Sequence, residues 1–261
     1  MGLRLETVIA GLVLMLGAAC SKAGPLEDME KGETGRVVRV VDGDALVLDT
    51  GQSVRLVGIE APALNPRYGD PQPYAEQAKR GLEDLVLGRE VRLYYPGLTR
   101  DRYDRALAHV GTADGTGPDY WVNLELVRRG HVRVRLYPDT DGGGVLLMDA
   151  EKTARAEGLG LWAYPAYRPT AIGRLAQGVR GFSIVDGIIA GEADLPEEEE
   201  RRTLCSFSLE DGDLILDIAF TARPLCDTPP GSPVRVRGWI QDQRMELVHP
   251  LHLERLESER P

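Results

Sequence analysis

Three short stretches carry the residue types that chemistry needs. Asp42-Gly43-Asp44 puts two carboxylates at a tight turn between β-rich runs. Arg55 follows, in a run that ends at Glu60-Ala61-Pro62. Asp101-Arg102-Tyr103-Asp104-Arg105 then leads into a further strand-like run. Carboxylate oxygens are hard donors that suit hard cations, and a guanidinium fork matches the oxygens of a phosphate. Taken singly, each stretch says little. An Asp-Gly-Asp turn is common, an arginine on a strand is usually a surface residue, and Arg-Tyr-Asp-Arg suits an exposed charged loop.

Their order and strand context say more. VVDGDA (40–45), RLVGIEAPA (55–63), DRYDRALA (101–108) and AEGLGLW (156–162) resemble the staphylococcal-nuclease-like (thermonuclease) family. That family's pattern is V-I/V-D-G-D-T, R-L-x-G-I/V-D-x-P-E, D-x-Y-G-R-x-L-A and a last helix ending near L-W. The resemblance covers residues 34–163, half of the chain. It implies a mainly β α+β domain, a five-stranded OB barrel with three helices, and Ca²⁺-assisted hydrolysis of DNA or RNA phosphodiesters. By family position the Ca²⁺ ligands are Asp44, Glu60 and the backbone carbonyl of Ala61. Such a cation offsets charge on the scissile phosphate and lowers the pKa of a bound water. Arg55 and Arg105 take the places of the phosphate clamp, which suits a dianionic transition state. Arg102 and Tyr103 lie where the family contacts nucleotide, and stacking is typically worth ~1–3 kcal/mol per base.

The departures matter as much. The metal-ligand Asp is Glu60, one methylene longer, and the Thr after the turn is Ala45. The Gly before the second Arg is Asp104, and the general-base Glu is Ala63. Alanine cannot accept a proton, and losing a general base costs about 10²–10⁴-fold in rate. Asp70 and Glu76 are the nearby carboxylates that could substitute. Two readings follow: a Ca²⁺-dependent nuclease with reduced or rerouted activity, and a non-catalytic OB-type module that binds nucleic acid or protein. Neither calls for an obligate protein partner.

The elements around these residues are legible from periodicity. Gly35–Val41, Ala45–Leu48 and Ser53–Ile59 predict a three-strand meander, and Pro62–Pro73 a breaker-rich loop. Tyr74–Leu87 has helical spacing and stops at Gly88. Strands are predicted at Glu90–Tyr95 and Arg105–Gly111. Asn123 is read as the cap of a helix running to Gly130, and His131–Tyr137 as extended. Leu146–Glu157 is an amphipathic helix docked by Leu161-Trp162. His109 and His131, in predicted strands, have no evident ligand partner.

Beyond a Pro-bearing joint at 164–170, residues 171–261 predict a smaller β domain. Its strand-like runs are Phe182–Ile189, Thr203–Leu209, Leu214–Phe220, Val234–Ile240 and Met245–Val248. A second OB-like barrel fits them, as do other Greek-key arrangements. Trp239 is read as core rather than as a base-stacking platform, Arg235 and Arg237 as sharing one strand face, either solvated or facing a partner, and Glu197–Glu200 as a solvated loop. His249 and His252, three apart on a strand, point to opposite faces and make a poor metal pair.

The N-terminal 20 residues are excluded from the fold. Val8–Ala19 is an apolar run of signal-peptide length, too short to span a bilayer. It ends in Leu-Gly-Ala-Ala-Cys, which resembles a bacterial lipoprotein signal with Cys20 as the lipidated residue. Gly17 stands where an apolar residue is usual, and an ordinary cleaved signal is the alternative. Residues 21–33 read as a tether. On the lipoprotein reading the protein is an envelope protein facing the periplasm, held to the membrane through Cys20; otherwise it is secreted. Cys205 and Cys226 are then an even pair in an oxidising compartment, predicting a disulfide. No CxxC or zinc-type spacing occurs.

The 261-residue chain has 43% hydrophobic and 28% charged residues, which excludes a disordered tail, a fibre and a multi-span membrane protein. A net charge of −10 excludes a generally basic nucleic-acid coat protein. The first domain holds 17 basic against 19 acidic residues and the part from 164 onward 11 against 17, so an anion site belongs in the first.

Overall fold

Alternating valine and leucine between residues 30 and 112 build a closed barrel. The structure, a computed structural model, describes residues 26–65, 70–113, 120–195 and 202–257. The signal-like stretch with Cys20 and the acidic run 197–200 lie outside the described residues. Strands β1 (Glu30–Asp42), β2 (Ala45–Leu48) and β3 (Ser53–Leu56) form the meander, and a two-residue strand β4 (Ile59–Glu60) follows. Helix α1 (Ala75–Val86), strands β5 (Glu90–Tyr95) and β6 (Ala106–Thr112), and helix α2 (Val122–Arg128) come next. Strand β7 (Arg133–Val134) and helix α3 (Gly144–Ala156) complete the unit.

The barrel order is β1-β2-β3-β6-β5, closed by β1 on β5, with β3 and β6 parallel and the other pairs antiparallel. That is the OB arrangement. Helix α1 buries Ala75, Ala78, Leu82, Leu85 and Val86 at three- and four-residue spacing against the barrel. It ends where Gly88 takes φ +76°, a left-handed backbone that glycine adopts without strain.

Local reading and structure part company at several places. The tether is shorter than expected, because β1 starts at Glu30 and pairs with Tyr95 of β5. Glu33 is bonded there by the Tyr95 hydroxyl at 2.6 Å and by Arg100 at 2.9 Å. Asn123 is not a cap. The helix starts one residue earlier, and the fully buried Asn123 amide donates to the Val57 carbonyl (2.9 Å) and accepts from the Val110 amide (3.0 Å). It ties α2 to the barrel, since a buried amide must find partners. The expected strand 131–137 shrinks to β7, because only Ile59 and Glu60 pair with it.

The joint at 164–170 is packed rather than loose. Tyr167 is buried and its hydroxyl donates to the Pro73 carbonyl at 2.5 Å. A two-residue strand β8 (Thr170–Ala171) leads into β9 (Gly181–Glu192), β10 (Thr203–Leu209), β11 (Ile215–Ala219), β12 (Pro233–Gln241), β13 (Arg244–Leu247) and β14 (Leu253–Arg255). Strands β9, β10, β11, β13 and β12 follow one another round a ring that β12 closes on β9, with β11 and β13 parallel. This repeats the strand order of the first barrel, so the second β unit is OB-like as well. It has its own apolar core around Val185, Ile189, Leu216, Ile218, Val236 and Leu247. Cys205 on β10 and Cys226, in the 3-10 segment Phe220–Asp227, form a disulfide with Cα atoms 6.1 Å apart.

The barrels meet along α3 and β12. Fully buried Glu151 accepts from the Val134 amide (2.6 Å), from Arg155 (3.2 Å) and from Arg237 through both oxygens (2.5 and 3.0 Å). Burial alone would push the Glu151 carboxyl up, but the charge and hydrogen bonds of Arg237, the Val134 amide and Arg155 hold it below the usual range. Arg235 shares a strand face with Arg237 and makes a two-pronged pair with Asp186. Trp239, read as core, is instead 49% exposed. Its strand partner Phe182 lies under Arg133, which fills the space between the barrels. His249 caps and His252 ends a 3-10 turn rather than lying on a strand, with rings 5.8 Å apart; His249 pairs with Asp141 at 2.9 Å. His109, on β6, accepts from the Trp121 indole, and His131, in a turn, bonds the Tyr74 hydroxyl.

Candidate active site

The turn between β1 and β2 presents Asp42 and Asp44. Gly43 separates them for a steric reason: a Cβ there would stand 2.7 Å from the Cβ of Ala61 and 2.8 Å from that of Ala78 on α1. Asp42 turns its Oδ1 back to the Asp44 amide at 3.2 Å. Burial pushes the Asp42 carboxyl up, against the pull of Arg55, Arg105, the Ala45 amide and Lys79. Asp44 is buried; its Oδ2 accepts from the Ala61 amide at 2.6 Å and its Oδ1 pairs with Arg55. One carboxylate thus joins β3 to the strand end after β4, as the pairing of Ala45 with Arg55 across β2 and β3 allows.

Glu60 sits at the end of β4, opposite Arg133 of β7. Its Oε2 accepts from Arg135 at 2.6 Å, and Arg133 stands 3.8 Å from Oε1. Ala63 is partly buried, and its amide donates to the Gln72 side chain at 2.9 Å. Of the two substitute carboxylates, Glu76 lies exposed in the first turn of α1 and Asp70 lies exposed after the undescribed residues 66–69.

The loop before β6 is built on Asp101. Its Oδ1 accepts the amides of Tyr103 (2.9 Å) and Arg105 (3.0 Å), while Oδ2 takes both Nε and a terminal nitrogen of Arg105 at 2.7 Å. Burial acts upward on the Asp101 carboxyl, but the Arg105 and Tyr103 amides and the Arg105 guanidinium leave it lowered. Arg105 is held by this carboxylate and points to the same cavity as Arg55. Tyr103 is 66% exposed, with Arg102 4.8 Å and Arg105 5.8 Å from its ring centre.

Asp104, at the family's glycine, adopts φ +61°. Aspartate tolerates this left-handed backbone better than most residues but still pays for its Cβ. Its carboxylate points to solvent, 93% exposed and 3.9 Å from Arg100, so it does not neutralise Arg105. Asp104→Gly should therefore raise stability by about 0.5–1 kcal/mol, the relief of strain less the greater freedom of glycine in the unfolded chain. Thermal unfolding of the two proteins measures it.

Arg55, Arg105 and Arg135 line one cavity of about 390 Å³ with Asp101 and Tyr137. Sequence reasoning singled out Arg55 and Arg105, and the structure brings them together. Arg135, and the positioning role of Asp101, were missed. The i,i+4 spacing of Asp101 and Arg105 was a usable signal for the second; the Arg-x-Arg alternation at 133 and 135 was a weak one for the first.

The Staphylococcal nuclease homologue family model matches residues 53–164, the stretch that carries β3 to α3. A thermonuclease of Staphylococcus intermedius is 33% identical over 135 residues, 51% of this chain and 77% of that protein. The chain belongs to the staphylococcal nuclease family. Two proteins described as uncharacterized endonucleases agree. One from Haemophilus influenzae is 34% identical over 156 residues, 58% of this chain and 74% of that protein. One from Escherichia coli O157:H7 is 36% identical over 132 residues, 49% of this chain and 76% of that protein. The second barrel lies beyond the residues that the nuclease family model matches.

The oxygens assigned to a cation in this family fit Ca²⁺ in kind. Asp44, Glu60 and the Ala61 carbonyl are all hard donors, and the Ala61 amide bond to Asp44 holds two of the three together. Each carboxylate is also engaged by a guanidinium, Arg55 on Asp44 and Arg135 on Glu60. Among the described residues no group of three or more His, Cys, Asp or Glu side chains is gathered for a metal, so a cation here would need the carbonyl and water as well. Among them, too, no helix is long and apolar enough to cross a membrane.

Proposed function

We propose that this protein hydrolyses phosphodiester bonds of DNA or RNA with Ca²⁺, at a rate limited by the missing base at Ala63. The convergence of Arg55 and Arg105 on one cavity, with Asp44 paired to Arg55 and Glu60 to Arg135 behind its lining, carries the reading. Asp44, Glu60 and the Ala61 carbonyl would hold the cation, whose charge would offset that of the phosphate and acidify a bound water. Arg55 and Arg105 would bind the non-bridging oxygens as charge grows on them, with Asp101 holding Arg105 in place. Tyr103 and Arg102 offer an exposed stacking face for a neighbouring base.

The expected result with single-stranded DNA and RNA is cleavage that needs Ca²⁺ and stops with chelator. Arg105→Ala should lower it by about 10²–10³-fold, the usual loss for one donor to a transition-state oxyanion, with an unchanged circular dichroism spectrum. Turnover indifferent to Arg105→Ala would overturn the site. Ala63 favours a second reading, a module that binds nucleic acid or protein without chemistry; strand binding through Arg105 without cleavage would establish it.

Export as a lipoprotein on Cys20, facing the periplasm, is part of the proposal. The Cys205–Cys226 disulfide supports an oxidising compartment. Intact mass of the protein from cell envelopes, without reductant, reads both the lipid and the bridge.

A further inference from the structure

Arg135 lies over two aromatic rings, Tyr137 in the segment after β7 and Trp239 on β12 of the second barrel. Its guanidinium carbon is 5.0 Å from the ring centre of Tyr137 and 5.1 Å from that of Trp239. Its other contact is the 2.6 Å pair with Glu60, so the head group is fixed from three sides. Both rings remain open to solvent, Tyr137 at 42% and Trp239 at 49%.

Trp239 reaches this place because of strand alternation. Arg237 and Trp239 share a face of β12, about 7 Å apart along the strand. Arg237 is sealed between the barrels by Glu151, which points that face at the first barrel. Two residues on, the same face emerges beside the arginine-lined cavity. A single exposed tryptophan is unremarkable on its own. An exposed tryptophan packed against an arginine that also lines the cavity of Arg55 and Arg105 offers a stacking face beside guanidinium groups suited to phosphate.

We propose that Trp239 is a base-stacking subsite that carries a single nucleic-acid strand from the Arg55–Arg105 cavity onto the second barrel. The inference rests on the nuclease reading above and assigns the second barrel a part in it. A strand whose phosphate lies at Arg55 and Arg105 would pass Arg135 with its next phosphate, and a following base would lie on the open face of Trp239. A dinucleotide, with a single internucleotide phosphate, would not reach it.

The test compares phosphorothioate oligothymidylates, which resist cleavage, of two nucleotides and of about 16, the upper end of site sizes for OB barrels. Affinities for the full chain in Ca²⁺ are read by fluorescence anisotropy. Trp239→Ala should weaken the longer strand by about 5- to 150-fold, the equivalent of one lost stack. The shorter strand should change by less than about twofold, and Trp239→Phe should keep most of the affinity for the longer one. Equal losses at both lengths, or none at either, would overturn the subsite. If the parent binds both lengths through Arg105 and ignores Trp239, only the subsite falls. If the parent binds neither, the nucleic-acid reading of the whole site falls with it.

Discussion

Ala63→Glu should raise the rate of Ca²⁺-dependent cleavage of single-stranded DNA by about 10²- to 10⁴-fold. Position 63 lies two residues beyond Ala61 and three beyond Glu60, on the segment that Asp44 holds through the Ala61 amide. A glutamate here would join a site in which Arg55 and Arg105 already line one cavity. The Ala63 amide stays bonded to Gln72, so the backbone need not move to receive the longer side chain. The gain should lie in kcat rather than KM, because a base acts on the attacking water and not on the bound strand. The pH profile is a second readout. A carboxylate base works only when ionised, so the added rate should fall away as pH drops through the ordinary glutamate range near 4.3. No gain would mean that this chain draws its proton acceptor from elsewhere or that it has no hydrolytic step to accelerate.

Glu151→Gln should cost about 3–5 kcal/mol of stability. The carboxylate is fully buried and takes two bonds from Arg237, one from Arg155 and one from the Val134 amide. Glutamine keeps the shape but leaves buried Arg237 with no opposite charge. The cost should appear as a lower denaturant midpoint, with the transition of the second barrel separating from that of the first. Replacing both members, Glu151→Met with Arg237→Met, should recover most of the loss, since a packed apolar pair needs no charge balance. A loss below about 1 kcal/mol in the single variant would mean that the ion pair does not hold the barrels together.

How much of this was legible depends on how local the cause was. Thr203–Leu209 and Glu90–Tyr95 appear as strands with the predicted ends, because alternation and flanking breakers decide both. Arg55 and Arg105 could be named from motif order, since each stands in a pattern a few residues long. Asn123 could not be read correctly. As a helix start it looks like a cap, while its actual partners, Val57 and Val110, come from two other elements. Trp239 has the composition of core; only the Glu151–Arg237 pair, 86 residues apart in sequence, turns its face outward beside the cavity. Arg135 left only the weak Arg-x-Arg signal for the same reason. Its meaning lies in Glu60 and Trp239, and no spacing rule links those positions.

The close approach of Gly43 to Ala61 and Ala78 has a mechanical meaning. With no atom to spare between them, the turn that carries Asp42 and Asp44 is wedged between helix α1 and the strand end that carries Glu60. The acidic residues thus share the rigidity of the apolar core instead of fraying as a surface loop would. Freeing the Asp42–Asp44 turn therefore means displacing α1 or the strand end beside it.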